Sequence, residues 1–153
     1  MATADMITIS NVEEYVPDIR DYGILNFNDL FEKSRQDIFR ALRIEWWPRR
    51  AYGLAEVDIS QLADPIEMDE TKLTESQFTR ASVYHCLGYY IFPQLSRHDP
   101  ETDRFYNMMN FYRAEYAREW TDILKDGIEY DDDGDGSITD SEKISVHYQR
   151  LVR

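Results

Sequence analysis

The chain has 153 residues, enough for one domain with a single core. Thirty acidic side chains against 17 basic ones give a net charge of −13, which disfavours general binding to phosphate backbones, since that affinity comes from Lys and Arg. One cysteine, Cys86, excludes an internal disulfide.

There is no basic-then-apolar leader at the N-terminus and no stretch of membrane-spanning length, so a soluble protein made in the cytosol is expected. Residues 126–153 carry eight acidic and three basic side chains, or −5, which leaves −8 for the rest. The acidity is therefore distributed along the chain. Aromatic content is 14%, with 11 tyrosines, a composition that suits cores doubling as interfaces.

In chain order, Val12, Tyr15, Val16, Ile19 and Tyr22 lie near helical spacing, but Pro17 interrupts them. Residues 1–23 read as apolar anchors on a mostly extended arm. Asn26 then looks like an N-cap, with Leu25 and Leu30 placed for a hydrophobic staple. A first helix carries Phe27, Leu30, Phe31, Ser34, Ile38, Ala41 and Leu42 on one face and is expected to stop before Pro48. Residues 48–72 form a long connection.

Thr74-Glu75-Ser76-Gln77 is a capping box, with Leu73 and Phe78 as its staple. The second helix runs through Phe78, Ala81, Ser82, His85, Leu87, Gly88 and Ile91 and is expected to end before Pro93. Gly88, Ala81 and Ser82 would allow close approach of a neighbour, expected to be the first helix. The third helix has Asp99 as N-cap and Pro100 at its first position, and an apolar stripe of Phe105, Met108, Met109, Tyr112, Tyr116, Trp120, Ile123 and Leu124. The fold class expected is mainly α: a small bundle of three long helices with an extended N-terminal arm, an EF-hand-like loop and a short C-terminal helix or arm. Its organisation is 1–23 arm, 24–127 bundle, 128–153 loop and tail.

Residues 131–142, Asp-Asp-Asp-Gly-Asp-Gly-Ser-Ile-Thr-Asp-Ser-Glu, match the twelve-residue calcium loop at every constrained position. Asp131, Asp133 and Asp135 supply the first three ligands. The Ser137 carbonyl is the fourth, Thr139 acts directly or through water, and Glu142 can bind bidentately. Gly136 stands where the loop must turn sharply. The plain alternative is a solvated Asp/Gly turn, but six carboxylates in twelve residues repel one another without a cation.

Gly127 closes the preceding helix, so no helix enters the loop directly, and there is no second loop to pair with it. Both features argue against a sensor and for a structural Ca²⁺. The tail from Ile144 fits helix or strand equally.

The remaining candidates favour core or interface roles. His85 and Cys86 are adjacent on one helix and point apart, no nucleophile, phosphate-loop or zinc signature is present, and no enzyme is expected. Trp46-Trp47-Pro48-Arg49-Arg50 could stack on single-stranded nucleic acid. At this net charge, indoles plugging a core and arginines pairing with carboxylates, or a protein interface, fit better. Met108-Met109 reads as core filler.

The segment Leu73-Thr74-Glu75-Ser76-Gln77-Phe78-Thr79-Arg80-Ala81, followed by a long aromatic-rich helix, resembles small head–tail connector (adaptor, head-completion or neck) proteins of tailed bacteriophages. The resemblance covers about residues 24–126. It implies a structural virion protein, assembled in the host cytoplasm as a homo-oligomeric ring, usually a dodecamer, between the portal and neck or tail proteins. It further implies that the C-terminal segment docks on the portal, through Tyr148, Arg150, Leu151 and Arg153. DNA would pass through an acidic ring without specific binding. The other reading is a calcium-binding regulatory module of EF-hand-like type.

Overall fold

The computed structural model describes residues 6–52, 66–97 and 101–143. The chain is mainly α. Its helices are α1 (Ile9–Glu13), α2 (Phe27–Ala41), α3 (Trp47–Tyr52), α4 (Thr79–Cys86), α5 (Phe92–Leu95) and α6 (Arg104–Asp126). Short 3₁₀ turns lie at Ile19–Tyr22, Glu70–Lys72, Glu75–Phe78 and Asp140–Lys143. Among the described residues the only β pairing is an isolated antiparallel bridge between Leu73 and Tyr130. No described helix is long and apolar enough to cross a membrane.

The N-terminal segment corrects the expectation of an extended arm. Thr8 builds a capping box with Asn11: its hydroxyl accepts the Asn11 N–H, and its own N–H donates to Asn11 Oδ1 at 2.8 Å. That starts α1, and the turns after it bury Val12, Val16 and Ile19 almost completely. Pro17 falls between α1 and the 3₁₀ turn at Ile19–Tyr22, so the helical run does break around it, as expected, but into turns and not into an extended arm. Asn26 caps α2 as expected, accepting the Asp29 N–H at 3.1 Å. The staple does not form, because Leu25 is fully solvent-exposed.

Neither Pro48 nor Pro93 ends its helix. Proline removes one N–H, and its ring collides with the carbonyl four residues back. Here a π turn precedes each proline: Leu42–Trp46 ahead of α3 and Leu87–Ile91 ahead of α5. In these turns the N–H of Trp47 bonds to Leu42 O and that of Phe92 to Leu87 O, a five-residue reach that widens the backbone just before the ring. Both stretches set a leucine six residues ahead of the proline and an aromatic residue directly before it, Leu42 and Trp47 before Pro48, Leu87 and Phe92 before Pro93.

The second helix opens more slowly than its capping box suggests, with the 3₁₀ turn Glu75–Phe78 preceding α4. The third starts at Arg104, later than expected. Its cap is Asp103, whose Oδ1 accepts the N–H groups of Phe105 and Tyr106 at 3.0 and 3.2 Å. Asp99 and Pro100 lie outside the described residues.

The chain divides into two compact units. The first comprises Met1–Gln36 and Glu75–Thr121. Its core gathers Val12, Ile19, Leu30, Leu87, Phe92 and Met109 among others. Phe92 stacks between Phe105 and Tyr112, at 6.0 and 5.8 Å, and burying each such side chain stabilises the unit by about 1.5–3 kcal/mol. Gly88 permits a close helix approach, and its neighbour there is α6 rather than the first helix. A Cβ there would lie 2.9 Å from the Arg113 backbone nitrogen, and Arg113 Nε donates to Gly88 O at 2.8 Å.

His85 is buried in this unit, with Nδ1 2.6 Å from Ser34 Oγ and its ring stacked on Tyr89. Cys86 is also buried, and burial pushes its thiol up to about 12, which disfavours the reactive thiolate.

The second unit comprises Asp37–Thr74 and Asp122–Arg153. Ile38, Phe39, Leu42, Trp46 and Ile128 are each at most 1% exposed there. This unit carries the acidic loop.

Candidate metal centre

The loop is reached through a helix end made by glycine. Gly127 has φ 105°, a left-handed conformation open to glycine without a Cβ clash, and its N–H closes α6 on Ile123 O at 3.0 Å. Ile128 and Tyr130, 1% and 3% exposed, then lead in as an extended stretch. The Asp131 N–H donates to Lys72 O at 3.0 Å, and the Tyr130 N–H to Glu142 O at 3.2 Å. That second bond joins the residue before the loop to its last member. No helix leads straight into position 1.

Inside the loop the carboxylates fold the backbone about themselves. Asp131 accepts the Gly134 N–H on Oδ1 at 3.1 Å and the Gly136 N–H on Oδ2 at 2.9 Å. Gly136 has the positive φ that its position requires, 85°, and Gly134 has one too, 71°. Asp133 Oδ1 accepts the Asp135 N–H at 3.1 Å, and Asp135 Oδ1 accepts both the N–H and the hydroxyl of Ser137. Glu142 folds back across the loop. Its Oε2 accepts the Asp132 N–H at 2.6 Å, while Oε1 accepts the Thr139 N–H and hydroxyl. Glu142 is only 5% exposed, an unusual place for a carboxylate unless it is satisfied by donors or a cation.

The loop thus brings three of the expected ligands together. Asp131, Asp133 and Glu142 each offer a carboxylate oxygen, all within 4.8 Å of one another. Calcium–oxygen bonds of about 2.3–2.6 Å put opposed ligands up to roughly 5 Å apart, so this spacing fits one ion at the common centre. The donor set is all oxygen, which suits a hard cation. Asp135 stands outside the group, turned to Ser137, and the Thr139 hydroxyl is held by Glu142 and Ser141.

Electrostatics point the same way. The Gly136 amide, helped by those of Gly134 and Asp135 and the Asp133 side chain, outweighs slight burial and holds Asp131 below the usual carboxylate range. For Asp133 the Asp135 amide works downward, but Asp131, burial and repulsion from Asp135 and Glu142 outweigh it and raise the carboxyl. The two carboxyls are thus pushed in opposite directions by their neighbours, and a divalent cation between them would favour the ionised form of both.

The sequence suggested that the arginines after Pro48 pair with carboxylates, and the loop is where Arg50 does so. Arg50 Nη2 donates to Asp132 Oδ2, and Arg50 Nη1 reaches the Ser141 carbonyl at 3.5 Å. Lys72 Nζ bonds to Asp132 O at 3.2 Å, and Lys143 lies 3.5 Å from Asp126. The signal for Arg50 was present in the Trp-Trp-Pro-Arg-Arg cluster. Both of its indoles are buried, Trp46 at 1% and Trp47 at 6% exposure, so their faces are not open for base stacking. The expected portal-docking residues Tyr148, Arg150, Leu151 and Arg153 lie outside the described residues.

No family model, no curated protein and no solved structure matches this chain.

Proposed function

We propose that this chain is a structural assembly protein, a head-to-tail adaptor of a tailed-bacteriophage virion, carrying one structural calcium ion. The observation behind the metal is the inward fold of Glu142, which sets its carboxylate within 4.8 Å of those of Asp131 and Asp133. When bound, Ca²⁺ would supply charge neutralisation and a rigid crosslink between the two ends of the loop. Asp131, Asp133 and Glu142 would hold it, with Asp135, the Ser137 carbonyl and Thr139 completing the set.

The assembly role rests on the resemblance over residues 24–126 and on a mainly helical fold. In this reading three long helices make a bundle and the EF-hand-like loop aims a short C-terminal arm. The arm docks on the portal through Tyr148, Arg150, Leu151 and Arg153. Copies form a homo-oligomeric ring, a dodecamer in the usual arrangement, with neck or tail proteins on the other side. The role is not enzymatic, and DNA passes through the ring without specific binding.

The test is light scattering after size-exclusion, with and without portal protein, on the full chain and on a truncation after Ser145. The adaptor reading expects a ring on the portal and a truncated chain that keeps its helical circular dichroism but assembles poorly. A chain that ignores portal and changes shape with calcium would replace it with a calcium-regulated binding module. The second reading draws support from the loop's bonds to Arg50 on α3.

A further inference from the structure

The loop has no entering helix, and the second unit supplies other restraints at that place. Tyr130, the residue before the first ligand, sits in a three-ring box. Its ring is 5.7 Å from Trp46 and 5.2 Å from Trp47, and the two indoles are 5.7 Å from each other. Its hydroxyl accepts the Asp69 N–H at 3.1 Å, and its backbone pairs with Leu73. The same residue donates its N–H to Glu142 O, and the next donates to Lys72 O. One anchored side chain therefore fixes the backbone that carries both Asp131 and Glu142.

Trp47 is held in turn. Its Nε1–H donates to Ile66 O at 2.7 Å, and the Ile66 N–H donates to Tyr52 Oη at 2.6 Å. The box thus ties the π turn and α3 to the segment 66–73, with its 3₁₀ turn at Glu70–Lys72, and to the threshold of the loop, all within one unit.

We infer that the Trp46–Trp47–Tyr130 box performs the task of the missing entering helix, so that cation binding in the loop and packing of the box are thermodynamically linked, with Tyr130 as the positioning residue. The inference rests on the calcium reading above. Linkage is reciprocal: whatever holds Asp131 and Glu142 in register raises affinity, and the ion tightens the box to the same degree. In this arrangement the loop acts on the described segments 47–52 and 66–73 of the second unit, in addition to any tail that follows it.

The probe is Ca²⁺ alone, titrated into the full chain by calorimetry and followed in parallel by tryptophan emission. Two of the chain's three tryptophans are in the box, and Trp120→Phe removes the other. The expected result is an emission change with the same midpoint as the calorimetric binding. Tyr130→Leu should weaken binding about tenfold, an ordinary coupling between linked sites. Tyr130→Phe keeps the ring and loses only the bond to Asp69, so it should weaken binding about twofold, the worth of a modest hydrogen bond.

Calcium heat in the wild type with flat tryptophan emission, or unchanged affinity in a folded Tyr130→Leu, overturns the linkage and leaves the metal site standing. If Tyr130→Leu loses its helical signal, wild-type affinity in Tyr130→Phe overturns the linkage instead. No calcium heat in the wild type removes the metal reading and the inference together.

Discussion

Gly88→Ala puts one methyl group where the packing has no room. The new Cβ would stand 2.9 Å from the Arg113 nitrogen, 3.0 Å from Arg113 Cγ and 3.3 Å from the Tyr112 carbonyl carbon. Two of these are backbone atoms of α6, which cannot swing aside as a side chain can. Relaxing them to ordinary contact of about 3.5 Å moves the helix by roughly 0.5 Å. Overpacking of this kind costs about 1–3 kcal/mol. The same shift stretches the 2.8 Å bond from Arg113 Nε to Gly88 O, a charged donor worth about 1.5–3 kcal/mol if lost outright. Against this, alanine gains about 1 kcal/mol of helix propensity. The balance is about 2–3 kcal/mol of destabilisation, or roughly 5–10 °C in Tm for a chain of this size. Scanning calorimetry reads it directly. Gly23→Ala is the control, since no atom lies within 4 Å of its Cβ and only the positive φ of 80° resists. A Gly88→Ala protein as stable as wild type, or more so, would refute the close-approach argument.

Ser82 is fully buried on α4 and its hydroxyl has no hydrogen-bond partner among the described residues, so Ser82→Ala should raise stability by about 1 kcal/mol in urea titration. Asp103 should show an acid-side effect. Slight burial raises its carboxyl, but the Arg97 N–H, the Ser96 hydroxyl and the N–H groups of Tyr106 and Phe105 outweigh it and leave it below its ordinary 3.8. A depressed carboxyl stabilises the fold above its unfolded pKa, and that stabilisation is lost as pH falls through the folded value. The stability gap between wild type and Asp103→Asn should therefore be constant from pH 7 to about 5 and close below about 3.8. A gap that persists at pH 2 would show that Asp103 acts only by packing.

Local chemistry was legible in the sequence wherever one residue type settles the geometry. The Asn26 cap, the Gly127 stop, the sharp turn at Gly136 and the apolar stripe of α6 all lie where the pattern places them. The loop's acidic spelling located Asp131, Asp133 and Glu142, which the fold brings together. Misreadings arose where backbone geometry overrides a rule for single residues. Pro48 and Pro93 read as stops because proline breaks an ordinary helix, and a π turn ahead of each removes the clash. Thr8 and Asn11 start a helix in a segment whose proline drew the reading toward extended structure.

Longer-range features left little trace. Each unit is built from two separate chain segments, with boundaries inside α2 and α6, and no composition shift marks them. Arg50 and Asp132 lie 82 residues apart, so their pairing depends on the fold.

Isothermal calorimetry of calcium binding to the full chain, with Glu142→Gln beside it, tests the central claim most directly. The account predicts one Ca²⁺ per chain for the wild type, none for Glu142→Gln, and a rise in wild-type melting temperature set by mass action. That rise corresponds to about 2.7 kcal/mol when calcium stands at a hundredfold over Kd. No heat of binding, with melting curves that coincide in chelator and in millimolar calcium, would contradict it.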